Sequence, residues 1–348
     1  MSEVWYAIAV LVLTAYVVLD GFDFGAGGVH LFVARTDAER RQVLAAIGPF
    51  WDGNEVLLLA AGGVLFVAFP RVLSAGVSGF YFAIFLVLWC LILRGISIEF
   101  RSHVNDRVWR ASWDFFFWLP SFLLPVFFGA ALGNLLRGVP LDADGWFELA
   151  LFTDFSAREP VGILDWYTVL VGVFALAALL GHGGAYLAWR TDGPVEKRSR
   201  AAGLWLYRVV AVLWPIVTLA TIRVNGMFLR SLSGRPLAWV FAAAALCGLA
   251  TVFVGLSRGR SLAAFLGSCL FLAGLSSATA TSVYPTMLRA TGAEALSITA
   301  DTAGGDPQGL RIALGWFAVG LPLVLFYFIV VWRLHRGKAV GAADGEGY

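Results

Sequence analysis

Four acids stand inside apolar stretches in the first quarter of the chain: Asp20 and Asp23 in LDGFDFGAGG, then Asp52 and Glu55 in GPFWDGNEVLLLAAGG. A fifth, Glu99, closes another apolar run in LRGISIEFR. A carboxylate surrounded by hydrocarbon is costly unless it meets polar groups or water, so acids persist there mainly where protons, ions or substrates pass. The spacing of three residues within each pair sets both side chains on one helix face. Each carboxyl can accept and release a proton, so a row of them at one depth suits proton transfer. A structural alternative stands beside this for Asp52, which follows Gly48-Pro49 near a predicted helix start, where free N–H groups and the helix dipole favour an acid.

Other reactive groups are sparse. The histidines are His30, His103, His182 and His335, the methionines Met1, Met227 and Met287, and the cysteines Cys90, Cys247 and Cys269, with no C-x-x-C pair. His103 and His335 fall in polar segments, and His182 in LLGHGGAYLAWR reads as a hydrogen-bonded buried histidine. Ligands for hemes or metals are therefore few and scattered, and no cofactor or metal is expected on this chain. There is no G-x-x-x-x-G-K-[ST] and no G-x-S-x-G at a strand–helix turn, which argues against nucleotide binding and serine hydrolysis. A net charge of +2 without a basic, aromatic-laced stretch excludes nucleic acid as an expected partner.

The elements that must position these acids follow from composition. With 59% hydrophobic residues, 14% charged and a mean hydropathy of +0.80, the chain cannot be an ordinary soluble domain. At about 20 apolar residues per crossing, the sequence predicts an all-α polytopic membrane protein with nine spans, near 4–33, 49–69, 76–98, 115–136, 162–189, 203–222, 237–256, 261–283 and 312–333. The chain carries Glu3 and no Lys or Arg before its first apolar run, so that run is expected to remain as a span. Gly21, Gly25 and Gly28 form one stripe on the first span, which permits close approach of a neighbouring helix.

Orientation follows from basic residues, which concentrate in cytoplasmic loops. With the N-terminus outside and the C-terminus inside, 16 Lys and Arg fall on inner segments and 8 on outer ones, with Arg208 inside the sixth span. Asp20 then lies about 24 Å from the outer start of its span, in the inner half of the bilayer core. Asp52 sits about one turn inside the second span, and Glu99 at the inner end of the third. All five acids are expected toward the cytoplasmic side.

The blocks LDGFDFGAG, GPFWDGNEV, LRGISIEFR, GNLLRGVP and HGGAYLAWRTDG, in this order over residues 1–195, resemble subunit II of the cytochrome bd-type quinol oxidases. Two departures stand out: Leu57 where the family commonly has Trp, and Asp301 with the GGDPQG stretch where it has an Asn-Ala-Ser-Ser pattern. The resemblance implies a heterodimer of similarly folded chains in the cytoplasmic membrane, each with two four-helix bundles and one additional helix. Here those would be residues 1–136, 162–283 and 312–333 of one integral membrane domain spanning 1–348. It implies that subunit I carries heme b, heme d and the quinol-binding loop. Subunit II, without heme, would complete the assembly and help carry cytoplasmic protons to the oxygen-reducing site. The matching acids are Asp52, Glu99, Glu55, Asp20 and Asp23, with Asp52 and Glu99 the leading candidates for the proton route. The family pattern also leaves room for a small single-span subunit and a structural quinone. A proton- or cation-coupled secondary transporter could use the same acids. Transporters, however, usually place such groups in broken helices at the midplane of inverted repeats, whereas here they crowd the first four spans.

Overall fold

The structure is a computed structural model and describes residues 1–339. Its helices are α1 (Ser2–Val33), α2 (Asp37–Ile47), α3 (Trp51–Ala68), α4 (Pro70–Gly79), α5 (Tyr81–Phe100), α6 (Arg107–Arg137), α7 (Trp166–Arg190), α8 (Gly193–Val224), α9 (Phe228–Ser233), α10 (Pro236–Ser257), α11 (Ser261–Val283) and α12 (Pro307–Leu334). Among the described residues nine of them, all but α2, α4 and α9, are long and apolar enough to cross a membrane. A two-stranded antiparallel hairpin, β1 (Thr286–Leu288) and β2 (Ile298–Thr299), lies in the connection before α12. The expected C-terminus at Tyr348 lies outside the described residues.

Every predicted span is a helix, with altered ends. The third begins at Tyr81 rather than residue 76, because Pro70 opens a separate helix, α4, at a position where its missing N–H costs nothing. The sixth starts ten residues early, at Gly193, because Pro194 fits a first helical turn and the charged residues that follow extend the helix beyond its apolar part. The connection after α1 contains α2, started by a capping box in which the Thr36 hydroxyl accepts from the Glu39 N–H and the Glu39 carboxylate accepts from the Thr36 N–H. In the stretch before α12, Asp306 caps that helix by accepting from the Gly309 N–H at 2.8 Å, with Pro307 in the first turn. GGDPQG is thus a helix-start signal.

At the centre, α1 packs on α3, α6, α7 and α11, while α7 packs on α1, α6, α8 and α11. The glycine stripe of α1 makes this possible. A Cβ on Gly25 would stand 2.0 Å from the Leu179 carbonyl oxygen, and one on Gly183 would stand 2.0 Å from the Gly25 carbonyl carbon. Backbone meets backbone there, which only glycine allows. With its glycines against α7, α1 turns its acids toward α3 and α5. By contrast α12 meets the rest of the chain chiefly at α3 and leaves Trp316, Leu323 and Phe326 exposed.

Candidate functional site

Three of the five acids come together in one buried cluster. Asp20 and Asp23 of α1 are fully buried, and Glu55 of α3 is partly so. Between them lies Arg94 of α5, also fully buried, whose Nη2 donates to Asp20 Oδ1 at 2.8 Å and to Glu55 Oε2 at 3.0 Å. Its guanidinium stands 4.3 Å from the centroid of the Phe24 ring, a cation–π contact inside the bundle. Asn54 of α3 donates its amide to Asp23 Oδ2 at 2.8 Å and to the Leu19 carbonyl at 3.2 Å. The i, i+3 spacing on α1 and the neighbouring positions 54 and 55 on α3 thus bring two polar contacts to one helix seam.

The cluster is polar beyond its direct bonds. Among the described residues, Asp23 Oδ1, Asn54 Oδ1, and Nε and Nη1 of Arg94 are buried without a hydrogen-bonding protein partner, and the Tyr16 hydroxyl faces Asp20. Four such atoms in one place form a nest that bridging water can satisfy, since a buried water needs two to four polar partners. Three carboxyls also share one guanidinium. In a medium of low polarity, surplus like charge is relieved when one carboxyl holds a proton.

Asp52 and Glu99 stand apart from this cluster, exposed on α3 and α5. Asp52 lies in the first turn of α3, but the helix is not capped by a side-chain hydrogen bond. The N-cap itself is Phe50, and Asp52 as the acid of the first turn still suits the helix dipole. Glu99 is the penultimate residue of α5, and its carbonyl accepts from the His103 ring. Both mark the membrane face at which α1 ends.

A second ionic cluster at that face was not foreseen. Asp114, near the start of α6 and buried, accepts from Arg40 at 2.7 Å and from Arg101 at 2.6 Å and 3.2 Å, and pairs with His30 at 3.0 Å. Arg101 also donates to Asp37 at 2.8 Å, and Asp37 receives Arg41 and Arg110 at 2.7 Å and 3.1 Å. Burial alone would raise the Asp37 carboxyl, but the hydrogen bonds from Arg101 and Arg41 hold it below the usual carboxylate range. The signal available in sequence was Asp114 beside Trp113 at the start of an apolar run, but its partners come from α1, α2 and α5.

The remaining motif residues hold the fold. In GNLLRGVP, Arg137 pairs with Asp165, which caps α7, and donates to the Asn134 side chain at 2.7 Å and the Gly162 carbonyl at 2.9 Å. Gly138 follows with φ +109°, a conformation that other residues rarely adopt. His182, in the HGGAYLAWRTDG block, is a buried structural histidine as expected: one ring nitrogen meets Ser268 Oγ at 2.6 Å, the other the Val18 carbonyl at 2.9 Å. Among the described residues no group of three or more His, Cys, Asp or Glu could hold a metal ion.

Comparison with known proteins places this arrangement. Residues 1–335 match the family model described as cytochrome bd terminal oxidase subunit II. The chain is 30% identical to the cytochrome bd-I ubiquinol oxidase subunit 2 of Escherichia coli, over 93% of this chain and 91% of that protein. It is 32% identical to the cytochrome bd ubiquinol oxidase subunit 2 of Bacillus subtilis, over 61% and 60%. A chain in the structure of bd oxidase from Geobacillus thermodenitrificans has the same fold, with a TM-score of 0.72 and 18% identity over 96% of this chain and 98% of that one. From motif blocks, helical architecture and whole-chain similarity together, the chain belongs to the cytochrome bd terminal oxidase subunit II family.

Proposed function

We propose that this chain is the heme-free second subunit of a quinol oxidase, completing the complex with subunit I and conducting cytoplasmic protons toward the oxygen-reducing site on that partner. Family membership makes it a multi-pass membrane protein and part of an oxidoreductase complex; the proton role and the residues that carry it are our reading. The observation that carries it is the buried seam of Asp20, Asp23 and Glu55 around Arg94 and Asn54. Oxygen reduction consumes protons, and a site inside a membrane needs a polar path to supply them. Asp52 and Glu99, exposed at one face, collect protons in this scheme. Glu55, one turn along α3 from Asp52, passes them to the buried pair. Arg94 keeps its charge and orients Asp20 and Glu55 through separate contacts, while Asn54 fixes one oxygen of Asp23.

In the same reading the N-terminus faces outward, since 16 basic residues then lie on the inner side. Residues 1–136 and 162–283 act as two bundles, with 312–333 as the added helix. Hemes b and d are assigned to subunit I. Donor chemistry supports this, because both ring nitrogens of His182 are engaged and one nitrogen of His30 is held by Asp114. In this reading the partner lies against α3, α5 and α12, because exposed Asp52 needs polar cover or water rather than lipid and α12 leaves Trp316, Leu323 and Phe326 exposed. The curated relatives are named as oxidase subunits, and the transporter alternative is set aside.

Asp52→Asn tests the route, since Asn keeps the size of the side chain and removes its proton. Co-expressed with subunit I, the variant should assemble with its full heme spectrum while quinol oxidase turnover falls at least about tenfold, or ~1.4 kcal/mol in the limiting barrier. Glu99→Gln should give a similar defect and His335→Ala almost none. Normal oxygen consumption by a fully heme-loaded Asp52→Asn complex would remove Asp52 from the route.

A further inference from the structure

At the face opposite the acids, where α8 ends and α7 begins, a cavity of about 1000 Å³ opens between the loop 151–165 and α8. Its walls combine two kinds of surface. Leu219, Ile222 and Val224 of α8 and the Trp166 ring of α7 are apolar, while Arg158 from the loop and Arg223 from the last turn of α8 bring two cations to the same cavity. Both arginines are exposed, and among the described residues neither side chain has a carboxylate partner.

The acids of this loop are occupied elsewhere. Asp165 pairs with Arg137 and caps α7, Asp154 accepts from the Ser156 N–H at 2.9 Å, and Glu159 accepts from the Thr291 hydroxyl. Two guanidiniums are thus left at one opening without a counterion. Arg223 alone could be explained as a cation compensating the C-terminal dipole of α8. That account does not reach Arg158, which comes from a different element and is steadied by the bond from its backbone N–H to Ser156 Oγ at 3.0 Å.

The surface below Arg223 supplies the second half of a ligand. Val212, Ile216 and Leu219, all exposed, fall at i, i+4 and i+7 on α8, and Arg223 continues the same stripe four residues later. An apolar track about 10 Å long therefore runs along the helix and leads, about 6 Å further on, to a cation. Trp166, the first residue of α7, adds a ring of the type enriched at membrane interfaces. An inorganic anion would use only the arginines, and an uncharged hydrocarbon only the track.

We propose that this cleft binds an anionic phospholipid, with its phosphate between Arg158 and Arg223 and an acyl chain along Val212, Ile216 and Leu219. Guanidinium forks suit phosphate oxygens, and the cleft brings two of them beside an apolar helix face. No residue of α3, α5 or α12 lines the cleft, so the site is independent of the face assigned to subunit I and of the proton route.

The test uses the two-subunit complex in nanodiscs of phosphatidylcholine with a minority of phosphatidylglycerol. Lipid retained through detergent washing is counted by mass spectrometry, and the Arg158→Gln/Arg223→Gln double variant is compared with wild type. Both arginines are exposed and unpaired with acids, so subunit ratio and heme content should be unchanged. Wild type should retain phosphatidylglycerol preferentially, and the double variant should lose about tenfold or more of that enrichment. Millimolar inorganic phosphate should not displace the lipid. Equal enrichment in the variant, no preference in wild type, or displacement by phosphate alone would each overturn the proposal.

Discussion

Replacing Arg94 by Met is the most direct test of the buried cluster. The substitution keeps a long apolar side chain and removes the cation that contacts Asp20 at 2.8 Å and Glu55 at 3.0 Å. Asp20 and Asp23 are fully buried, so they cannot turn to bulk water once the guanidinium is gone. Removing one partner of a buried ion pair costs about 3–5 kcal/mol, mainly because the other charge is left uncompensated. That is a large share of the ~5–15 kcal/mol that holds a typical domain together. Assembled complex and heme absorbance should therefore fall sharply, and thermal unfolding, followed by size-exclusion chromatography in detergent, should shift downward. The double variant Arg94→Met/Asp20→Asn removes one charge of each sign, so Asp23 and Glu55 face no more surplus charge than in wild type, and it should recover much of the loss. Arg94→Lys should fall between, because one ammonium cannot reproduce the planar contacts of a guanidinium. An Arg94→Met complex as stable as wild type, or a double variant no better than the single, would refute the reasoning.

Reporter fusions after Arg110 and Arg200 should read cytoplasmic, and a fusion at Asp144 external; the reverse pattern would invert the placement of every acid. Asp37 has a folded-state pKa held below the usual carboxylate value, so its contribution to stability is present above the unfolded value near pH ~4 and disappears as pH falls through the folded value. Asp37→Asn should accordingly lower thermal stability equally at neutral and mildly acidic pH, and the gap from wild type should close below about pH 4; a gap undiminished there would show that the carboxylate charge is not what Arg101 and Arg41 use.

What the sequence made legible was local. The acid pairs, the nine apolar runs and the α1 glycine stripe depend on spacing within one helix, and spacing is visible in a string of letters. The capping box Thr36–Glu39 was equally local, but α2 is polar and lay in a segment read as an inner loop. Asp114 was hidden for a different reason. Its partners Arg101, Arg40 and His30 are 13, 74 and 84 residues away, so their meeting depends on how α5 and α6 fold back over α1 and α2. Arg94 was visible only as one of many basic residues toward the inner side. Its burial follows from the acids around it, because a guanidinium is held inside a bundle only where carboxylates repay its lost hydration.

The two ionic clusters differ in charge balance, and that difference separates clamp from conduit. At the membrane face, the carboxylates Asp37 and Asp114 are surrounded by Arg40, Arg41, Arg101 and Arg110 together with His30. Acids so thoroughly matched have no use for a further proton, and their bonds tie the ends of α1, α5 and α6 to α2. Deeper in the chain the ratio reverses, with Asp20, Asp23 and Glu55 around Arg94 alone and, among the described residues, four buried polar atoms without protein partners. In the proposed route a proton entering there lowers the surplus charge and one leaving restores it, with Arg94 fixed throughout. Asp52 and Glu99 are exposed at the face lined by the arginine clamp. In the proposed route they take up protons there, the clamp holds the entrance in shape, and the under-compensated seam behind it passes them on.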